Sequence, residues 1–238
     1  MPARRRWIAA GACAFAVLAS TVAGCGSTAA TPSSNTLINA DKGIDTSVLR
    51  TSKFRFKPYN SPEELAAADF IKVTATGTVE GFKEGRTFHS EPGNTPYYRV
   101  YMVVKVDRPY KGAQRREYLG DNRLYVDLDR GPINAKDGVT PLHSLDDFSN
   151  GIPAGTKVAL FLHNAPKISD QISDIQRGLP AGVEPLSPHP QGMIFASPEK
   201  GIQGKQLIGG LTGYSDMPKP WQDIHSMEEL AQRMAKVS

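Results

Sequence analysis

Val158-Ala159-Leu160-Phe161-Leu162 is an almost uninterrupted apolar run of strand-forming length. A strand that is apolar on both sides must be covered on both sides, so it belongs in the middle of a core. The segments around it share its character. From Phe70 to Val79, Ile71, Val73, Ala75 and Val79 alternate with polar residues, which reads as a half-buried strand. Tyr97–Val106 is the strongest strand signal, opened by Gly93-Asn94 and Pro96 and closed by Pro109 and Gly112. Leu124–Leu128 is again β-like. Met193-Ile194-Phe195 and Gln206-Leu207-Ile208 read as short late strands, and Lys53–Phe56 as a short alternating opening. Ile152–Thr156, with proline second and glycine fourth, fits a type I turn. From Ala165 to Pro190 prolines, glycines and polar residues predict a long excursion, with one helical turn near Ile172–Ile175.

Two helices announce themselves by their starts. Ser61 and Glu64 stand at capping-box spacing with Pro62 at the first helical position, which predicts a short helix to about Ala68. Ser226 and Glu229 repeat that spacing, and Met227, Leu230, Ala231 and Met234 then recur at helical intervals, an apolar stripe of the kind that packs on a core. The expectation is a mainly β fold, α+β at its margins. It is a small antiparallel barrel or sandwich, OB-like, with a short N-terminal helix and a C-terminal helix. It forms one globular domain over residues 51–238, with no internal repeat.

The only cysteines among the 238 residues are Cys13 and Cys25. Arg4, Arg5 and Arg6, an apolar run from Trp7 to Leu18 and the small residues Ala23-Gly24 before Cys25 make a secretory signal peptide. With Val22-Ala23-Gly24-Cys25 the segment resembles a bacterial lipoprotein lipobox, though valine stands where leucine is commonest. The resemblance covers residues 1–25. It implies cleavage between Gly24 and Cys25, acylation of Cys25, and a protein held on the extracytoplasmic face of the cell membrane. Two or more acyl chains hold a protein stably at roughly 0.8 kcal/mol per buried methylene. Residues 25–50 then read as the lipidated cysteine and a flexible tether, rich in Ser, Thr, Ala, Asn and Gly. About 20 such residues span roughly 25 Å. Cleavage also leaves the body without a disulfide or a thiolate metal site, so the core itself must supply stability.

The pattern Ala68-Asp69, Tyr110-Lys111-Gly112 and Phe161-Leu162 is similar to that of small exported OB-like barrels of the netrin and metalloproteinase-inhibitor kind. Inhibitors of that class depend on a free N-terminal cysteine and disulfides, neither of which this chain has, so no inhibitory activity follows.

Charge removes one class of function. The formal net charge is +4, and the three arginines of residues 1–24 are removed with the signal, leaving +1. A near-neutral body lacks the positive field that bulk nucleic-acid binding needs. Catalytic and metal motifs are also missing. His89, His143, His163, His189 and His225 are scattered. Asp127, Asp129, Asn134 and Asp137 suggest a loose calcium loop, but Pro132 and Gly138 fall where an EF-hand needs glycine and glutamate. Gly201–Lys205 has the wrong spacing for a phosphate loop and reads as a hairpin turn. No G-x-S-x-G elbow occurs. Neither metal nor cofactor is expected.

Two surfaces remain as candidates. Arg108, Lys111, Arg115 and Arg116 gather around Tyr110 and Tyr118, a basic aromatic loop suited to polyanions; its other reading is a solvated turn. Tyr97, Tyr98 and Tyr101 lie on one strand, Tyr97 and Tyr101 on the same face, as a carbohydrate platform would want. The functional expectation is a non-catalytic binding or accessory module at the cell envelope. Its partners are the membrane, through the anchor, and an envelope protein or wall polymer. The alternatives are an envelope hydrolase with a cryptic active site, or a structural partner of a membrane complex docking through the closing helix.

Overall fold

The computed structural model describes residues 43–51, 55–89, 95–167, 172–197 and 207–237, all within one compact unit, Ile38–Ser238. The signal peptide, Cys25, the tether up to residue 42, Lys53-Phe54 and the Gly201–Lys205 turn lie outside the described residues.

Seven strands form one mixed sheet in the order β2-β3-β6-β4-β1-β5, with β7 on β6 and a further β1–β2 pairing. They are β1 (Val73–His89), β2 (Pro96–Pro109), β3 (Arg123–Asp129), β4 (Lys157–Asn164), β5 (Ile172–Ser173), β6 (Leu186–Ala196) and β7 (Leu207–Gly209). Strand β1 carries the design. Its first residues, Val73–Thr78, pair with β4, while the stretch from Ala75 to His89 pairs with β2. It therefore has partners on both edges, and the hydrogen-bonded path β1-β2-β3-β6-β4 returns to where it began. Three register shifts bend it, at Thr76/Gly77, Val79/Gly81 and Glu84/Thr87, which is how bulges let one strand turn a corner.

The ring has an inner and an outer core. Inside lie Val73 and Ala75 of β1, Val100 and Met102 of β2, Leu124 and Val126 of β3, Val158 and Leu160 of β4, and Met193 and Phe195 of β6. The alternate residues of β4 and β6, Ala159, Phe161 and Ile194, face outward beneath a helical layer. This is why the β4 run is apolar on both faces. The layer contains α1 (Pro62–Ala67), α3 (Lys219–Gln222) and α4 (Met227–Ala235). Trp221 is fully buried in it, its ring 5.7 Å from that of Phe161. A third cluster, Tyr101, Val103, Tyr125 and Val183, covers the outer face of β2 and β3.

Both predicted helix starts form, with one refinement. The hydroxyls of Ser61 and Ser226 accept from the N–H of Glu64 and Glu229. The glutamates reach one residue further back than a capping box requires, to the N–H of Asn60 and of His225. A complete capping box instead starts α2 (Leu145–Gly151), where Ser144 and Asp147 bond reciprocally. The α4 stripe of Leu230, Ala231 and Met234 is buried.

Four expectations need correction. The sheet is mixed rather than antiparallel, because β3 and β6 run parallel at Val126–Leu186. Residues 43–50, expected as part of the tether, are packed: Val48 and Leu49 are buried, and the Asp45 N–H donates to the Gly151 carbonyl at 2.9 Å. The Ile152–Thr156 turn is shifted by one residue. Thr156 N–H bonds to Pro153 O at 3.2 Å and Gly155 has φ +92°, so proline is first and glycine third, and the positive φ at the third position is what a type II turn requires. Finally, the supposed excursion to Pro190 contains β5 at Ile172–Ser173 and the start of β6.

β6 accommodates Pro190 in a bulge that begins directly after Pro188. Leu162 pairs with Pro188 and Leu160 with Met193, so the residues between Pro188 and Met193 are extra to the ladder. Gly192 closes the bulge against β4, where a Cβ would come within 2.5 Å of the Phe161 carbonyl oxygen. Gly192→Ala is therefore expected to lower stability by about 1–3 kcal/mol in chemical denaturation; an unchanged midpoint would show that the bulge relaxes freely.

Candidate functional site

Strands β3 and β6 share a single register pair, Val126 with Leu186. Past that pair they separate, and a cleft of about 450 Å³ opens. Asp127, Leu128 and Asp129 line one side, and Ser187, Pro188 and Pro190 the other. Phe88 and Tyr97, from the adjoining ends of β1 and β2, join His163 from β4 at its walls. Leu49, Leu128 and Leu211 supply an apolar floor. Leu49 belongs to the ordered arm at residues 43–51, which Thr46 and Arg50 tie to the carbonyls of Gly209 and Gly210.

A buried charge cluster stands beside the cleft. The side chain of Asp127 is fully buried and takes two charged bonds, from Arg86 Nη2 at 2.6 Å and Arg99 Nε at 2.7 Å. The register explains the reach: β2–β3 pairing sets Arg99 opposite Asp129, so Arg99 extends diagonally to Asp127. The Phe88 ring lies 4.7 Å from the Arg86 guanidinium and 5.9 Å from that of Arg99, within cation–π range. Arg86 is 2 % exposed, and its Nε and the Tyr101 hydroxyl are buried without a hydrogen-bond partner among the described residues. Burial, reinforced by the Asp127 charge, pushes the Tyr101 hydroxyl up to about 12.

His189 sits in the β6 bulge, packed among aromatic rings, with Phe56 at 5.3 Å and Tyr59 at 5.5 Å. Its Nδ1 accepts the Gln191 N–H at 3.2 Å. Burial, with a smaller contribution from His163, pushes its pKa from 6.5 down to about 4. Gln191 in turn bonds both the N–H and the carbonyl of Tyr59. This pins the segment before α1 to the sheet.

Three of the four residues expected to form a polyanion surface have separate partners within the fold. Arg108 pairs with Glu228 of α4 at 3.0 Å. Lys111 donates from Nζ to the carbonyls of Ala66 and Ala68, both at 3.0 Å, and so caps the end of α1; burial lowers its pKa. Arg115 lies 3.6 Å from Glu117, and Arg116 is exposed. Ala113 and Tyr118 of the same loop enter the inner core, with the Tyr118 hydroxyl donating to Asn164. The calcium-loop acids are separately engaged too. Asp127 holds two arginines, Asp129 accepts the Gly131 N–H, Asn134 that of Lys136, and Asp137 those of Val139 and Thr140. Among the described residues no three metal-ligating side chains converge. Of the tyrosines, Tyr101 is buried, whereas Tyr97 is 54 % exposed at the cleft. Arg86, Arg99 and Phe88 were not foreseen as a group.

Comparison with protein-family models, curated proteins and solved structures found no match. Among the described residues no helix is long and apolar enough to cross a membrane.

Removing Asp127 strands two guanidiniums, so Asp127→Ala is expected to cost about 3–5 kcal/mol in urea unfolding. Replacing Arg86 and Arg99 with Met and Asp127 with Leu together should cost less than that single change, since no uncompensated charge remains. The reverse order would refute the cluster as the source of the loss. His189 is expected to make stability rise with pH. Its folded pKa is depressed, so between 6.5 and about 4 the unfolded chain binds the extra proton. Its contribution is complete above 6.5 and lost as pH falls toward 4. In His189→Leu the slope of stability against pH over that window should shrink, and an unchanged slope would contradict the assignment.

Proposed function

We propose that this chain is an exported lipoprotein, anchored by acylated Cys25 to the cell membrane, whose body is an OB-like barrel serving as a non-catalytic binding module at the cell envelope. The lipobox supports the anchor. The strand path β1-β2-β3-β6-β4, the parallel β3–β6 pair and a helix between β3 and β4 support an OB-like arrangement.

The observation that carries the binding reading is the cleft between β3 and β6. Its volume of about 450 Å³ and its mostly apolar lining, with a few convergent polar groups, suit a small-molecule or chain-end site. One observation favours the hydrolase reading: His163 and Ser187 are register partners on β4 and β6 and both line the cleft. Against it, His163 Nδ1 is 2.9 Å from the Asn164 carbonyl, and Asp127 is committed to two arginines. The docking-helix reading loses its motive, since the apolar stripe of α4 is covered by the chain's own core.

The test uses the full chain, extracted from membranes in dodecylphosphocholine. Intact mass should fit cleavage before Cys25 plus acyl chains, a gain absent from Cys25→Ser; an uncut chain refutes the anchor. A small-fragment library followed by protein-observed NMR should shift Phe88, Leu128 and Leu211 first. Shifts confined elsewhere overturn the cleft as the binding site. A fluorophosphonate probe should leave Ser187 unlabelled, and labelling abolished in Ser187→Ala would make the protein a hydrolase.

A further inference from the structure

We propose that the cleft between β3 and β6 takes an uncharged saccharide, one sugar unit or chain end of an envelope glycan; this rests on the reading of the cleft as a ligand site.

The charges set the first limit. Arg99, Asp127 and Asp129 line the cleft, and the buried Arg86 pairs with Asp127 beside it, so across the cleft and its neighbouring cluster the formal charges cancel. A net anion or net cation gains no field there. What the cleft does offer is one planar donor and one planar acceptor. Arg99 commits Nε and Nη2 to Asp127, leaving Nη1 without a hydrogen-bond partner among the described residues. Asp129 uses Oδ1 on the Gly131 N–H, leaving Oδ2 likewise. Arg99 and Asp129 are cross-strand partners and both line the cleft, with the guanidinium drawn diagonally onto Asp127, so the free donor and the free acceptor stand apart along one wall. A guanidinium donor and a carboxylate acceptor match sugar hydroxyls, each of which both donates and accepts.

Shape sets the second limit. Tyr97 is 54 % exposed and shares a strand face with Arg99, two residues away. Its ring offers a flat apolar surface with a polar tip. The C–H face of a pyranose fits such a surface, while its hydroxyl edge turns to Arg99 and Asp129. Pro166, Pro188 and Pro190 add rigid apolar walls that require no ordering when a ligand arrives.

The test titrates maltotriose, cellotriose and the β-1,4-linked N-acetylglucosamine trimer into the full chain in dodecylphosphocholine, a detergent with no sugar headgroup, read by protein-observed NMR. The expected result is saturable shifts at Tyr97, Arg99 and Asp129 with at least one trisaccharide. Tyr97→Ala and Asp129→Ala should each weaken that binding about tenfold or more, while Tyr97→Phe, which keeps the ring, stays near wild type. If Tyr97→Ala binds as well as the wild type, the proposal is overturned. If fragments shift the cleft signals and no trisaccharide does, the saccharide class fails and the cleft stands. If neither does, both readings fail.

Discussion

The architecture depends on β1 finding a partner along each edge. A sheet with two free edges would expose a row of unpaired backbone groups at each. By lending its start to β4 and the rest of its length to β2, β1 closes the hydrogen-bonded path. Its bulges supply the bend that closure demands. Once closed, the sheet has an inside and an outside, and the two-sided burial of β4 follows. Val158, Leu160 and Leu162 fill the interior, and Ala159 and Phe161 seat the helical layer. A single strand thus belongs to two cores, and the helices are held by the same residues that seal the ring.

Closure is thinnest where β3 meets β6 through one pair of residues. The cleft and the buried charge cluster gather there. The sheet register delivers Arg86, Arg99 and Asp127 to one spot, and the arm at residues 43–51 and the turn after β7 fill in behind. The charge cluster is an expensive construction, since taking charges out of water costs several kcal/mol per ion and apolar residues of equal size would serve stability as well or better. Its effect is geometric: Arg99 is locked by Asp127 from behind and by Phe88 beside it, so its remaining donor group is held at the cleft rather than sweeping through solvent.

Much of the scaffold was legible in the sequence and little of the site. Ser61 and Ser226 announced their helices because a cap is a local bond between residues three apart. The β4 run announced its place because burial on both faces leaves no polar position. α2 escaped notice because its capping box uses Asp147 in place of the usual glutamate or glutamine. The start of β6 was hidden by Pro188 and Pro190, which read as strand breakers; Pro190 lies in the bulge, where no ladder bond is asked of it, and Pro188 is the last paired residue before it. The charge cluster was beyond reach for a different reason. Arg86 and Asp127 are 41 residues apart and Arg99 and Asp127 are 28 apart, and only the pairing register brings them together. The faint signal was a carboxylate inside the otherwise apolar Leu124–Leu128 run. The basic loop shows the opposite difficulty, because the sequence proximity of Arg108, Lys111 and Arg115 says nothing of their separate partners, which are Glu228, the carbonyls of Ala66 and Ala68, and Glu117.

The bonds from Thr46 and Arg50 to the carbonyls of Gly209 and Gly210 have a mechanical meaning. Any tension entering the body from its N-terminal side is carried first by these bonds and by the Asp45–Gly151 link, in a segment that also contributes Leu49 to the cleft. A pull on the arm is therefore a pull on the floor of the site. Because Gly209 ends β7, the same pull passes into the sheet as it reaches Leu49, so the arm couples the edge of the sheet and the lining of the cleft to one load.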